Sequence, residues 1–255
     1  MRTFFLLFLG LSISIGISSF VLIPSAPNQL LFKDAIAQKK LKCVLSANGG
    51  HQDKSVKATL INLGNASIEI KIPYGTVFQP KDNGDQDLLM VQDELIVLQP
   101  KQSKEFLLDA YCIESNDASP MADETMTFRT LSTTEPLAKL CASMNSKKFV
   151  PSDIQSAVWA VSDNGPIEYL SNADPNTNNL RETVCSLTGR ENTWYNVDAN
   201  RRITEDRRIE TSSKSVSGKI SITLIAKANI QTKVVDKDGA TKLSMSPKVF
   251  DRAGT

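Results

Sequence analysis

The hydrophobic period of this chain changes twice, and that order limits its fold more than any other feature. Ile68, Ile70 and Ile72 alternate with Glu69 and Lys71, the two-residue period of a half-buried strand. Residues 56–61 and 67–72 are short β-branched runs joined through Asn62-Leu63-Gly64-Asn65, a turn signal. Pro73-Tyr74-Gly75 breaks the second run, and strand-length segments come next at 76–78, 88–91, 94–98 and 105–112. A spacing of about 10 residues between such runs predicts an antiparallel β-sandwich over residues 38–133.

The period then shifts to that of a helix. Leu137, Leu140, Cys141 and Met144 share one helical face, with Pro136 at its start. Ile154, Ala157, Val158 and Val161 repeat the spacing, and Ser152 with Gln155 has the pattern of a capping box. Leu180, Thr183, Val184 and Leu187 make a third face, opened by Asp174-Pro175 and stopped by Gly189. Residues 134–189 are therefore a small helical segment packed on the sheets. Past residue 190 the strand period returns with Ile220, Ile222 and Leu224, after Trp194 and Tyr195 anchor the transition. Residues 201–208 hold four arginines interrupted by Glu205 and Asp206, which reads as a solvated linker. Residues 190–255 resemble immunoglobulin-like modules of bacterial extracellular proteins, with the last strand incomplete. Strands, then helices, then strands make the class α+β: an N-terminal antiparallel β-sandwich, a small helical segment and a C-terminal immunoglobulin-like β module.

The front of the chain reads as a targeting segment. Arg2 precedes an apolar run over residues 4–23, and Ala35-Ile36-Ala37 supplies an A-x-A site. Cleavage after Ala37 gives a signal peptide of residues 1–37 and a secreted or cell-envelope protein. Uncleaved, the run is long enough to anchor the chain in a membrane, its only expected membrane contact. Without Arg2, Lys33 and Asp34, the 29 basic and 28 acidic residues become 27 of each, so no charge field argues for nucleic acid.

Export makes the four cysteines informative, because disulfides persist outside the cytosol. Cys43, Cys112, Cys141 and Cys185 allow three connectivities. The simplest arrangement bridges Cys43 to Cys112 within the sandwich and leaves Cys141 and Cys185 to the helices, bridged or as core thiols. No CxxC pair exists and His51 is the single histidine, so no metal ligand set and no histidine-based triad is expected, and no cofactor is called for.

Two short patches carry a sharper reading. Ala110-Tyr111-Cys112-Ile113 and Ile154-Gln155-Ser156-Ala157-Val158-Trp159 resemble the two motifs of the thioester domains of bacterial surface adhesins. The resemblance covers ten residues and implies that Cys112 attacks the Gln155 side-chain carbonyl, releases ammonia and leaves an internal thioester. An amine or hydroxyl on a host surface then takes the acyl group, with the thiol as leaving group. Such a protein is a noncatalytic covalent binder of an extracellular protein or surface ligand and not an enzyme. The 43-residue separation is short for that family, and Gln155 has an ordinary reading as a capping residue. The alternative class is a secreted hydrolase with an acidic site, for which Asp93/Glu94 and Glu205/Asp206 are the acid pairs. The loops 82–87 and 236–239 have the Asp/Asn/Gly composition of turns and lack the terminal glutamate of an EF-hand.

Overall fold

The computed structural model describes residues 28–81, 84–171, 174–219, 221–235 and 238–251. The chain begins with β1 (Asn28–Leu31), α1 (Phe32–Ala37), β2 (Leu41–Ala47), β3 (Val56–Asn62), β4 (Ile68–Ile72) and β5 (Thr76–Pro80). Next come β6 (Leu88–Leu89), β7 (Glu94–Leu98), β8 (Ser103–Leu108), β9 (Tyr111–Cys112) and β10 (Met126–Thr130). The helices are α2 (Pro136–Met144), α3 (Pro151–Ser162) and α4 (Pro175–Thr188), with a 3-10 turn at Ile167–Tyr169. The remainder is β11 (Tyr195–Ile203), β12 (Ile209–Gly218), β13 (Ala228–Ile230), β14 (Lys233–Val235), β15 (Thr241–Ser244) and β16 (Lys248–Phe250). The class is mixed α+β, with several small sheets and a central helical segment.

The first β region forms three sheets around one core: β1-β4-β7, β2-β3-β8 and β10-β5-β6-β9. Its pairs are antiparallel except β1 with β4, which run parallel. The four-stranded sheet is a wall between two cores. Because neighbouring side chains on a strand point to opposite faces, Phe78, Leu88 and Cys112 enter the β core while Val77, Leu89 and Tyr111 enter the helical core. α3 touches both, giving Trp159 to the first and Ile154, Ala157 and Val158 to the second.

The helices start and stop where their sequence signals lie. Asp174 accepts from the Thr177 N–H, and Gly189 takes φ +68° beyond the end of α4. α3 differs in one consequential way. Pro151 occupies its first turn behind Val150, so Ser152 is not the cap and the Ser152–Gln155 box does not form. Proline favours the first helical position; the helix therefore starts early, and Gln155 is a buried residue of its second turn. Arg190 closes the other end of α3, donating to the carbonyls of Ala160 and Gly165.

Three other expectations change. Residues 28–37, assigned to the leader, are structural: β1 pairs with β4, and α1 buries Phe32 and Ala35 in the β core. Cleavage after Ala37 would strip a sheet edge and a core aromatic, while the apolar run of residues 4–23 lies outside the described residues. The strand expected over 105–112 breaks at Asp109-Ala110 into β8 and β9, which join different sheets. Beyond α4, a closed immunoglobulin-like sandwich is absent among the described residues. β11 and β12 form a long hairpin, β13-β16 and β14-β15 are separate two-stranded ribbons, and no described residue after Val184 is buried. Too few apolar residues alternate there to close a second core. Among the described residues no helix is long and apolar enough to cross a membrane.

The hairpin is nonetheless held to the helices. Arg181 is wholly buried, and its guanidinium donates to the carbonyls of Leu170, Thr193 and Tyr195 and to the Asn196 side chain.

Candidate functional site

α3 places Gln155 against the end of β9. Its carboxamide makes two hydrogen bonds to the main chain of one residue: Oε1 accepts from the Cys112 N–H at 3.2 Å, and Nε2 donates to the Cys112 carbonyl at 2.8 Å. Both residues have 0% exposure. The Cys112 N–H is shared with the His51 carbonyl at 2.9 Å. The same helix grips the next residues as well. Ser162 donates to the Ile113 carbonyl at 2.6 Å, and Asp163 accepts from the Ser115 N–H. Gln155 thus belongs to a polar seam along residues 112–115, which satisfies backbone groups that burial would otherwise leave costly.

The electrostatics are those of a dry site. Burial, and secondarily the charge of Glu114, pushes the Cys112 thiol well above its ordinary range. Burial also pushes Glu114 up to about 7, with the charges of Asp87 and Asp163 adding and the Asp87 N–H opposing. His51 is pushed down to about 4 by burial and then by Arg201, so its imidazole is neutral at physiological pH. The His51 ring stacks on Trp159 with centroids 6.1 Å apart, and the Arg201 guanidinium lies 5.3 Å from the Trp159 ring centre.

Beside this group lies a cleft of about 230 Å³. Ser115, Ser156, Trp159, Tyr169, Arg201 and Ile209 contribute to its wall. Ser156 neighbours Gln155, and Trp159 stands one helical turn beyond it in the same core cluster as Cys112. Gly165 lets the chain pass tightly under this wall, since a Cβ there would sit 3.1 Å from the Trp159 carbonyl oxygen.

The predicted disulfides do not form: Cys43, Cys112, Cys141 and Cys185 are all unbridged. The Cys43–Cys112 pair fails because β2 and β9 lie in different sheets, with Cys43 opposite Leu60 on β3. Cys141 is buried on α2 and its thiol contacts the Met90 carbonyl at 3.8 Å, while Cys185 is partly buried on α4. Burial pushes the thiols of Cys43 and Cys141 up to about 12. Among the described residues no cluster of histidine, cysteine and acids has the makings of a metal site. Of the loop 82–87, Asp85 is engaged with Arg207 at 2.5 Å; residues 82–83 and 236–237 lie outside the described residues.

His51, Glu114 and Arg201 were not legible as site residues. Arg201 carried one usable signal, standing after Val197 and Ala199 at two-residue spacing on the partly buried face of β11. No protein-family model matches the chain, and comparison with curated proteins and with solved structures gives no significant match.

Proposed function

We propose that this chain is a secreted, noncatalytic surface-binding protein that attaches covalently to its target through an internal thioester between Cys112 and Gln155. The observation that carries this reading is the docking of the Gln155 carboxamide on the Cys112 main chain, in a fully buried setting. Attack of the Cys112 sulfur on the Gln155 side-chain carbonyl forms the C–S bond and breaks the C–N bond. The thiol proton leaves with the amide nitrogen as ammonia. The Cys112 N–H already points at the Gln155 carbonyl oxygen, where charge develops in the tetrahedral intermediate.

Burial favours the uncharged thiol and disfavours free thiolate, so the sulfur is protected from adventitious oxidation and the thioester from water. An incoming amine then takes the acyl group, forms an amide with Gln155 and returns the Cys112 thiol. Since Cys43, Cys141 and Cys185 are unbridged, using Cys112 breaks no disulfide. The three sheets around the β core serve as the rigid body that sets β9 against α3.

Intact mass of the secreted chain tests this directly. The expected deficit is about 17 Da, for loss of one ammonia. Methylamine should then convert Gln155 to its methylamide and expose one new alkylatable thiol at Cys112. An undiminished mass, with Cys112 alkylated on denaturation without any amine, refutes the thioester.

A further inference from the structure

Arg201 is a guanidinium without an acidic partner. It forms no ion pair among the described residues; Nη2 donates to the Ser156 hydroxyl at 2.6 Å and Nη1 to the Ser152 carbonyl at 3.2 Å. Its Nε–H is buried with no hydrogen-bond partner among the described residues. The same holds for the indole N–H of Trp159, a side chain with only 7% exposure. Both residues line the 230 Å³ cleft, and Arg201 lies within 5.9 Å of the Tyr169 ring centre as well as over Trp159. Buried donors left unpaired carry a desolvation cost, and a cation without a counter-ion carries more. Asp153 acts on Arg201 through space, but its carboxylate is bonded to the Thr177 hydroxyl at 3.0 Å and turned to α4.

We infer that this cleft is the recognition subsite for a carboxylate on the incoming nucleophile, the charge meeting the Arg201 guanidinium and the stem lying against Trp159, Tyr169 and Ile209. The inference rests on the thioester reading only for the chemistry after binding. A planar anion suits a guanidinium edge flanked by aromatic faces. The volume is below that of a pocket for a drug-sized ligand, so it takes a group the size of one amino-acid side chain. Ser156, which lines the cleft and binds Arg201, follows Gln155 on α3. The substrate class is therefore an amine that also bears a carboxylate, as at an acidic or C-terminal segment of a surface protein.

Two measurements separate the subsite from the thioester. The first uses the full chain with Cys112→Ala, which cannot form a thioester, and Trp194→Phe, which leaves Trp159 as the fluorescent reporter. Titration with hippurate should perturb Trp159 at concentrations at least roughly tenfold lower than hippuramide, its neutral amide. Adding Arg201→Gln should bring the two ligands together, with circular dichroism checking that the fold persists. The second tracks adduct mass in the Cys112-containing chain. 4-Aminobutyrate should react at least roughly tenfold faster than 4-aminobutyramide, and Arg201→Gln should reduce that ratio to about one. Equal behaviour of charged and neutral ligands, or a preference that survives Arg201→Gln, overturns the subsite. Selective hippurate binding by a chain that never shows the mass deficit supports the carboxylate subsite and sinks the thioester.

Discussion

Replacing Gln155 by glutamate exchanges the Nε2 donor for an oxygen, which makes the consequence calculable. In the parent, Oε1 accepts from the Cys112 N–H and Nε2 donates to the Cys112 carbonyl at 2.8 Å. After Gln155→Glu the second oxygen faces that carbonyl and needs a proton to keep the contact. The site is fully buried, so desolvation acts in the same direction. Raising a carboxyl from about 4.3 to about 7.3 is a moderate shift for a buried group, and each pH unit is worth about 1.4 kcal/mol. Because the folded-state value lies above the unfolded one, the neutral acid is tolerated below about pH 4, and stability is lost as pH rises toward 7. The loss works out at about 0.6 kcal/mol at pH 4.5 and about 4 kcal/mol at pH 7.5. The assay is urea unfolding at both pH values, comparing Cys112→Ala with Cys112→Ala/Gln155→Glu so that no thioester intervenes. A destabilisation of the same size at both pH values would refute the donor–acceptor assignment of the Gln155 carboxamide, and with it the pose on which attack by Cys112 depends.

Other perturbations report on separate parts of the structure. Phe32→Ala should cost about 3–5 kcal/mol by urea unfolding, since Phe32 is 1% exposed and packs on Phe128; by the same reasoning, sequencing should place the mature N-terminus before β1. Arg181→Met should cost at least about 3 kcal/mol, because the carbonyls of Leu170, Thr193 and Tyr195 lose their charged donor together, and proteolysis at the base of the β11–β12 hairpin should rise. Glu114 is raised to about 7, so its contribution to stability is present below its unfolded value near 4 and lost as pH climbs through 7. Glu114→Gln should flatten the stability profile over that window and gain about 1 kcal/mol at pH 8 after solvent screening, as thermal melts at stepped pH would measure. Native alkylation at pH 8 should leave Cys43 and Cys141, both raised to about 12, largely unlabelled and reach Cys185 first, as peptide mapping would show.

The helices were legible because their ends are local chemistry. Asp174, Pro175 and Gly189 act on backbone groups within a turn of themselves, and α4 runs between them. Strand positions were legible for the same reason; strand partners were not, since alternation states that a face is buried without saying against what. The segment 105–112 shows the difference. Past Glu105 its apolar run is interrupted only by Asp109, yet Leu108 ends a strand paired with β3 while Cys112 belongs to one paired with β6. Arg201 illustrates the opposite failure. Charge density around it reads as solvent-facing, although a guanidinium can lie half-buried on aromatic rings while its neighbours Arg202 and Arg208 stay exposed.

Gln155 is where local and nonlocal readings compete. A serine three residues before a glutamine is a legitimate capping box, and nothing in that pattern distinguishes it from an inward glutamine. Pro151 decides against the cap, because it starts the helix two residues earlier than a Ser152 cap would and leaves Ser152 inside it, while Gln155 lies one turn before Trp159 on a shared face. The partner was then chosen by the wall between the two cores. On β9 the alternation that sends Tyr111 to the helices sends Cys112 to the β core, and the open polar edge of that two-residue strand is what a buried carboxamide can satisfy. A leucine there would have left the Cys112 carbonyl without the Gln155 donor. The residue type at 155 is therefore set by the need to complete a strand edge inside a core, where a buried carboxamide serves both the N–H and the carbonyl of Cys112.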